Sequence, residues 1–137
     1  MSVYVDTSAL FAVLDRDDSC HDAAETVWIR LIQGDIVLVC SNYILVEASA
    51  LIQRRLGQKA LRVFQEAIVP MLQVQWVDES THQAAVEMLL KSRSRSLSLV
   101  DCVSFVVMRR MGLDTAFVFD RHFQTQGFRC LTRMSCE

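Results

Sequence analysis

Four acidic residues stand where a carboxylate is out of place, and in chain order they are Asp6, Glu47, Asp101 and Asp120. Asp6 closes the apolar run Ser2-Val3-Tyr4-Val5, and Asp120 closes Ala116-Phe117-Val118-Phe119. Glu47 interrupts the apolar helix face of Asn42-Tyr43-Ile44-Leu45-Val46-Glu47-Ala48, and Asp101 opens a stretch that is apolar nearly all round, from Leu97 to Val107. Carboxylates are rarely buried unless paired or bound to a metal. Four of them meeting at one place would repel one another unless a divalent cation neutralised them, and hard oxygen donors suit Mg²⁺ or Mn²⁺. The chain reads as built around a metal.

Each acid also has a plain structural reading. Asp6 and Asp120 can cap the helices that follow them, and Ser98-x-x-Asp101 has capping-box spacing at the positive end of a helix. Glu47 lies beside Ile44 and Leu51 on a helical wheel, and an ion pair with Arg54 or Arg55 is open to it. Arg55 falls within the same apolar stripe and fits there only as the lip of a crevice. Any one of these coincidences is ordinary, and all four together are not.

The elements that must position the acids alternate along the chain. Residues 2–6 read as a strand and Ala9–Leu14 as a helix capped by Asp6-Thr7-Ser8. Ser19 can cap a second helix reaching Ile32, stopped by Gly34, before a strand over Ile36–Cys40. Asn42 can cap a third helix with Gly57 just past its end, and Lys59–Val69 reads as a fourth, ended by Pro70. A strand over Leu72–Val77 and a helix over Glu79–Lys91 precede the polar stretch Ser92–Ser96. Ser98–Met111 is a helix with Gly112 as its stop, Thr115–Asp120 a strand, and Phe128–Leu131 a short fifth strand. This alternation predicts an α/β fold with a mostly parallel sheet between helices, whose strand ends open onto one ligand-binding crevice.

Bulk properties agree. The 137 residues make one domain, with a 52% apolar fraction, one Pro and four Gly, which argues against disorder. No apolar run approaches the ~18 residues needed to span a bilayer, so no membrane role is expected. Asp6 and Asp15 within the N-terminal stretch argue against a signal peptide. The five cysteines (Cys20, Cys40, Cys102, Cys130, Cys136) show no CxxC spacing. Cys40 and Cys102, inside apolar segments, read as reduced core thiols of a cytoplasmic protein. The net charge of −2 gives no global attraction to nucleic acid, so such a partner must meet a local basic patch.

Val5-Asp6-Thr7-Ser8-Ala9-Leu10 resembles the opening motif of the PIN domain. Glu47 resembles that family's second acid. Leu97-Ser98-Leu99-Val100-Asp101-Cys102 and Phe117-Val118-Phe119-Asp120-Arg121-His122-Phe123, followed by Gly127-Phe128, resemble its third and fourth motifs. The match spans essentially the whole chain, with 41, 54 and 19 residues between successive acids. It resembles in particular the small single-domain members, many of them toxin ribonucleases of prokaryotic toxin–antitoxin pairs. Two departures stand out: Val118 where many members carry a hydroxyl residue, and His122 where some carry a fifth acid.

The resemblance implies a PIN-like sandwich with a five-stranded parallel sheet, and cleavage of RNA phosphodiesters dependent on Mg²⁺ or Mn²⁺. It implies Asp6, Asp101 and Asp120 as ligands of the main ion, with Glu47 serving a second ion or orienting water. Ser8, and with it Thr7, would support a ligand or touch phosphate. Arg93 and Arg95, in Lys91-Ser92-Arg93-Ser94-Arg95-Ser96 just before Asp101, would meet RNA, and Arg54, Arg55, Lys59 and Arg62 form a second basic lip. An antitoxin protein is an expected partner, and Ile44, Leu45, Leu51 and Ile52 could supply a homodimer face. The alternative is a non-catalytic or regulatory binding module on the same scaffold.

Other active sites lack their residues. An aspartate-dependent phosphatase of the haloacid-dehalogenase type needs Asp-x-Asp, and residue 8 is Ser. A receiver domain needs a late Lys, and none lies beyond Lys91. No Gly-rich phosphate loop is present. His21, His82 and His122 share no metal-ligand spacing and read as surface or capping residues. Trp28 and Trp76 read as core.

Overall fold

In the computed structural model, which describes residues 1–132, the N-terminal apolar run forms strand β1 (Ser2–Val5), with Val3, Tyr4 and Val5 fully buried. A strand with no polar face belongs in the middle of a parallel sheet. The sheet order is β3-β2-β1-β4-β5, where β2 is Val37–Ser41, β3 Leu72–Gln75, β4 Thr115–Phe117 and β5 Arg129–Cys130. All four pairings are parallel, with Tyr4 opposite Val39 on one side and Ala116 on the other. The helices are α1 (Thr7–Leu14), α2 (His21–Gln33), α3 (Asn42–Leu56), α4 (Gln58–Val63), α5 (Glu79–Lys91), α6 (Leu99–Met111) and α7 (Arg121–Thr125). The expected α/β architecture is the one observed.

Helix α6 carries eight consecutive buried residues, Asp101 to Met108. Phe105 from it meets Phe123 of α7 edge-on at 4.9 Å and stacks on Phe128 at 5.8 Å. Tyr4 reaches from β1 to Ser104 of α6, 2.8 Å between hydroxyls, tying the central strand to that helix. Gly112 ends α6 with φ +70°, a left-handed conformation that costs glycine least. Cys40 and Cys102 are buried free thiols, and Cys136 lies outside the described residues.

Several local expectations are corrected. Ser41, not Asn42, caps α3, accepting from the N–H of Ile44, while the Asn42 amide oxygen accepts from Val77 N–H at 2.8 Å. A long-range partner outcompeted the local cap. Helix α2 starts at His21, with no side-chain cap from Ser19, because Asp18 takes the turn by accepting from the N–H of Cys20. The fourth helix breaks after Val63 into a π turn, Phe64–Ile68, that lets both end residues reach the core. Pro70 sits in the 3₁₀ turn Val69–Met71, where its missing N–H is no loss. The strands end before the acids: β1 at Val5 and β4 at Phe117. Ile44 and Ile52 are fully buried, so they build the core and not a dimer face. Trp28 is core, but Trp76 is 70% exposed, because β3 stops one residue before it.

Candidate active site

Asp6 follows β1 directly, and its N–H donates to the Phe117 carbonyl at the end of β4, 3.1 Å away. Chain order reverses between these two strands, and open α/β sheets bind ligands at that point. A cleft of ≈ 460 Å³ lies there, lined by Asp6, Glu47, Asp101 and Asp120 together with Thr7, Ser8, Arg54, Ser96 and Ser98. Four acids separated by up to 114 positions therefore share one wall-to-wall site.

The capping readings hold as well, and they explain how the carboxylates are aimed. Asp6 caps α1 through one oxygen, Oδ2, which accepts from Ser8 N–H at 3.0 Å and from the Ser8 hydroxyl at 2.7 Å. The same hydroxyl oxygen accepts from Phe119 N–H at 3.0 Å, which ties this turn to the segment leading into Asp120. Asp101 forms a capping box with Ser98, using its Oδ2. Asp120 caps α7 through Oδ1, which accepts from His122 N–H at 2.8 Å. Among the described residues no hydrogen bond reaches the remaining oxygen of any of the three. Capping fixes each carboxylate by one oxygen and leaves the other without a hydrogen bond among the described residues.

The electrostatics are strained. Burial pushes the Asp6 carboxyl up to about 7, against the pull of the Ser8 hydrogen bonds, and the charges of Asp101 and Glu47 raise it further. Burial likewise lifts Asp101 to about 6; the Ser98 backbone bond opposes this and the charge of Asp120 adds to it. Among the cleft-lining residues only Arg54 is a fixed cation. A bound divalent cation would relieve both causes at once.

The donor set fits a hard divalent ion. Asp101, Asp120 and His122 each offer an atom within 4.8 Å of the others, and Asp6 and Glu47 line the same cleft outside that tightest group. His122 Nδ1 stands 2.6 Å from Asp120 Oδ1 and 3.9 Å from Asp101 Oδ2. An ionised carboxylate only accepts, so Nδ1 carries hydrogen and the available donors are carboxylate oxygens. The Thr7 hydroxyl, next to Asp6, is buried with no protein partner, an orphan that a bound water or phosphate would satisfy.

His122 stands beside the acids, although sequence reasoning, which noted it where some PIN members carry a fifth acid, read it as a surface or capping group. Its position two residues after Asp120, within the capping turn, is the signal that favoured the site over the surface. Arg54 lines the cleft, whereas Arg55 lies over the Phe11 ring at 6.0 Å and is not part of the lip. Glu47 is half-buried, with no ion pair to Arg54 or Arg55. Arg93 and Arg95 are exposed in the loop whose Ser96 reaches the cleft. Lys59 and Arg62 border a separate hollow, where Arg62 pairs with Glu66 at 2.9 Å.

Comparison with known proteins places this arrangement among relatives. The PIN domain family model matches residues 3–128. The chain is 32% identical over 127 residues to the 23S rRNA-specific endonuclease VapC20 of Mycobacterium tuberculosis, covering 92% of this chain and 95% of that protein. The crystal structure of M. tuberculosis VapC20, described as a sarcin-ricin loop cleaving toxin, superposes with a TM-score of 0.82 at 31% identity, with the same coverage. FitAcB from Neisseria gonorrhoeae gives 0.69 at 16% identity over 95% of this chain and 96% of that one. VapBC2 from Rickettsia felis, bound to a promoter DNA fragment, gives 0.70 at 10% identity over 95% and 97%. The last two show the fold alone.

Proposed function

The chain belongs to the PIN domain family, and from that premise we propose that it is a divalent-metal-dependent endoribonuclease, the toxin of a toxin–antitoxin pair. The observation that carries the reading is the acid quartet, four carboxylates on one cleft with three of them held by a single oxygen each. A Mg²⁺ or Mn²⁺ ion bound there supplies an activated water, neutralises non-bridging oxygens and stabilises the departing 3′ oxygen.

The chain's own residues do the positioning. Asp6, Asp101 and Asp120 would hold the cation, and Glu47, half-buried on the facing helix, would orient the attacking water or serve a second ion. Ser8 fixes Asp6, and the unpartnered Thr7 hydroxyl faces substrate or water. Arg54 at the rim and Arg93 and Arg95 on the neighbouring loop receive phosphates. The relative's specificity makes bacterial 23S rRNA the first substrate to try. An antitoxin whose tail crosses the cleft would silence it, and a homodimer would cover the apolar side chains that α3 and α5 leave in solvent, Val46 and Leu90. No helix among the described residues is long and apolar enough to cross a membrane.

The test is cleavage of purified 23S rRNA and of a mixed RNA pool with Mn²⁺, with Mg²⁺ and with EDTA. Metal-dependent cuts that the Asp6→Ala variant does not make are the expected result. Intact RNA under every condition would refute the proposal.

A further inference from the structure

The stretch Ser92-Arg93-Ser94-Arg95-Ser96 alternates strictly, and the structure gives the alternation a use. The Ser92 hydroxyl accepts from Ser94 N–H at 3.1 Å. The Ser94 and Ser96 hydroxyls lie 3.0 Å apart, and the Ser96 hydroxyl lies 3.1 Å from His122 Nε2. The other ring nitrogen of His122 is bonded to Asp120 at 2.6 Å. A ladder of hydrogen bonds therefore runs from the end of α5 across the loop to a carboxylate of the acid cleft. The two arginines take no part in it: both are exposed and neither is in an ion pair among the described residues.

The His122 ring bridges the two groups, with Nδ1 2.6 Å from Asp120 Oδ1 and Nε2 3.1 Å from the Ser96 hydroxyl. His122 is only 24% exposed and is anchored at both its backbone and its ring by Asp120, so it is the fixed end of the ladder. Exposed hydrogen bonds are individually weak, but each removes freedom from a loop whose exposed part, residues 93–96, is otherwise held by its helix ends and by Leu97 packing on the core.

We propose that His122 is a positioning residue that holds loop 92–98 through Ser96, so that Arg93 and Arg95 stand at the rim of the acid cleft and grip the phosphates flanking the scissile bond. This rests on the ribonuclease reading above and adds the device that orders its RNA grip. Arginine side chains lose considerable rotamer freedom on binding, and a backbone ordered beforehand lowers that cost.

Ser96→Ala breaks the ladder without touching a carboxylate or a cap, and Ser96→Thr keeps the hydroxyl. Two measurements are needed. The first is the rate of tryptic cleavage after Arg93 and Arg95 in the folded protein, which reads loop order without RNA. It should rise about fivefold in Ser96→Ala, the worth of one hydrogen bond, and stay at the wild-type rate in Ser96→Thr. The second is KM and kcat for purified 23S rRNA with Mn²⁺ in a double-mutant cycle with Arg95→Ala. KM should rise about fivefold for Ser96→Ala and about tenfold for Arg95→Ala, but Arg95→Ala should add only about twofold once Ser96 is gone, with kcat moving less than about twofold throughout. Equal tryptic rates in wild type and Ser96→Ala would overturn the tether. Faster proteolysis with fully additive KM effects, or a loss confined to kcat, would overturn its role in gripping RNA. A wild type that cuts no RNA would fell the ribonuclease reading and the grip with it, while the tryptic rates still decide whether His122 holds the loop.

Discussion

Asp101 and Ser98 satisfy each other's backbone: the Ser98 hydroxyl accepts from Asp101 N–H at 3.0 Å, and Asp101 Oδ2 accepts from Ser98 N–H at 3.1 Å. A side chain that already serves as a helix cap is easy to dismiss as structural. Here the same geometry holds still a buried acid, 7% exposed, that lines the cleft.

Asparagine can keep that capping bond while removing the charge. The Asp101→Asn variant should therefore lose RNA cleavage by roughly two orders of magnitude or more, beyond the 10–100-fold typical of losing a residue that merely supports a metal ligand. In EDTA it should melt at or above the wild-type temperature, because one source of repulsion is gone, and it should gain less from added Mn²⁺. A capping role alone predicts a modest loss in EDTA and an unchanged metal response. Melts of both proteins with EDTA and with Mn²⁺ separate the two.

The pH dependence has a definite sign. Asp6 and Asp101 titrate higher in the folded chain, near 7 and 6, than their ordinary 3.8. Between about pH 4 and 7 the folded state thus holds more protons than the unfolded state, and the metal-free protein loses stability as pH rises through that window. The decline should be smaller in Asp101→Asn. The metal needs both acids ionised, so its stabilisation, ~2.7 kcal/mol at a hundredfold excess over Kd, should be large at pH 8 and small at pH 5. A Mn²⁺-induced shift in Tm of equal size at the two pH values would contradict the assignment of these acids as ligands.

Neighbouring arginines should behave differently. Arg54→Ala removes the cleft's one fixed cation and should raise KM for RNA several-fold, with the salt dependence of binding reduced by about one phosphate contact. Arg55→Ala loses only a contact with Phe11 and should leave RNA kinetics as they are. Titrating RNA affinity against salt for both variants checks this, and equal effects would erase the distinction.

In cells, induced expression of the wild-type chain should slow bacterial growth while Asp6→Ala should not. Growth curves across a range of inducer levels, with protein amounts matched by blotting, make the comparison. Two equally harmless chains would count against the toxin reading.

The acids were legible because a carboxylate ending an apolar run announces itself without any knowledge of partners. The sheet was legible for the same reason: runs such as Ser2–Val5 and Thr115–Phe117 have no polar face to show to water. Local signals failed where a distant group decided the outcome. Asn42 looked like a cap until Val77 claimed its side chain, and His122 looked like a surface residue because nothing nearby in sequence indicates that Ser96 lies beside it. Adjacent Arg54 and Arg55 differ by a rotation of about 100° on the helix, and pattern alone gave the lip to both, whereas only Arg54 lines the cleft.

The central strand of the sheet, β1, precedes its partner β4 by more than a hundred residues of chain. Parallel pairing across that separation cannot form while Thr115–Phe117 is still unmade, and Asp120 follows later still. A chain emerging during translation therefore carries its acids as scattered, solvated side chains with no cleft to join them. Domains with such long-range pairing fold as units once the far partner arrives. If this protein cuts ribosomal RNA, the ribosome making it is shielded from the product by topology until β4 and Asp120 have been made.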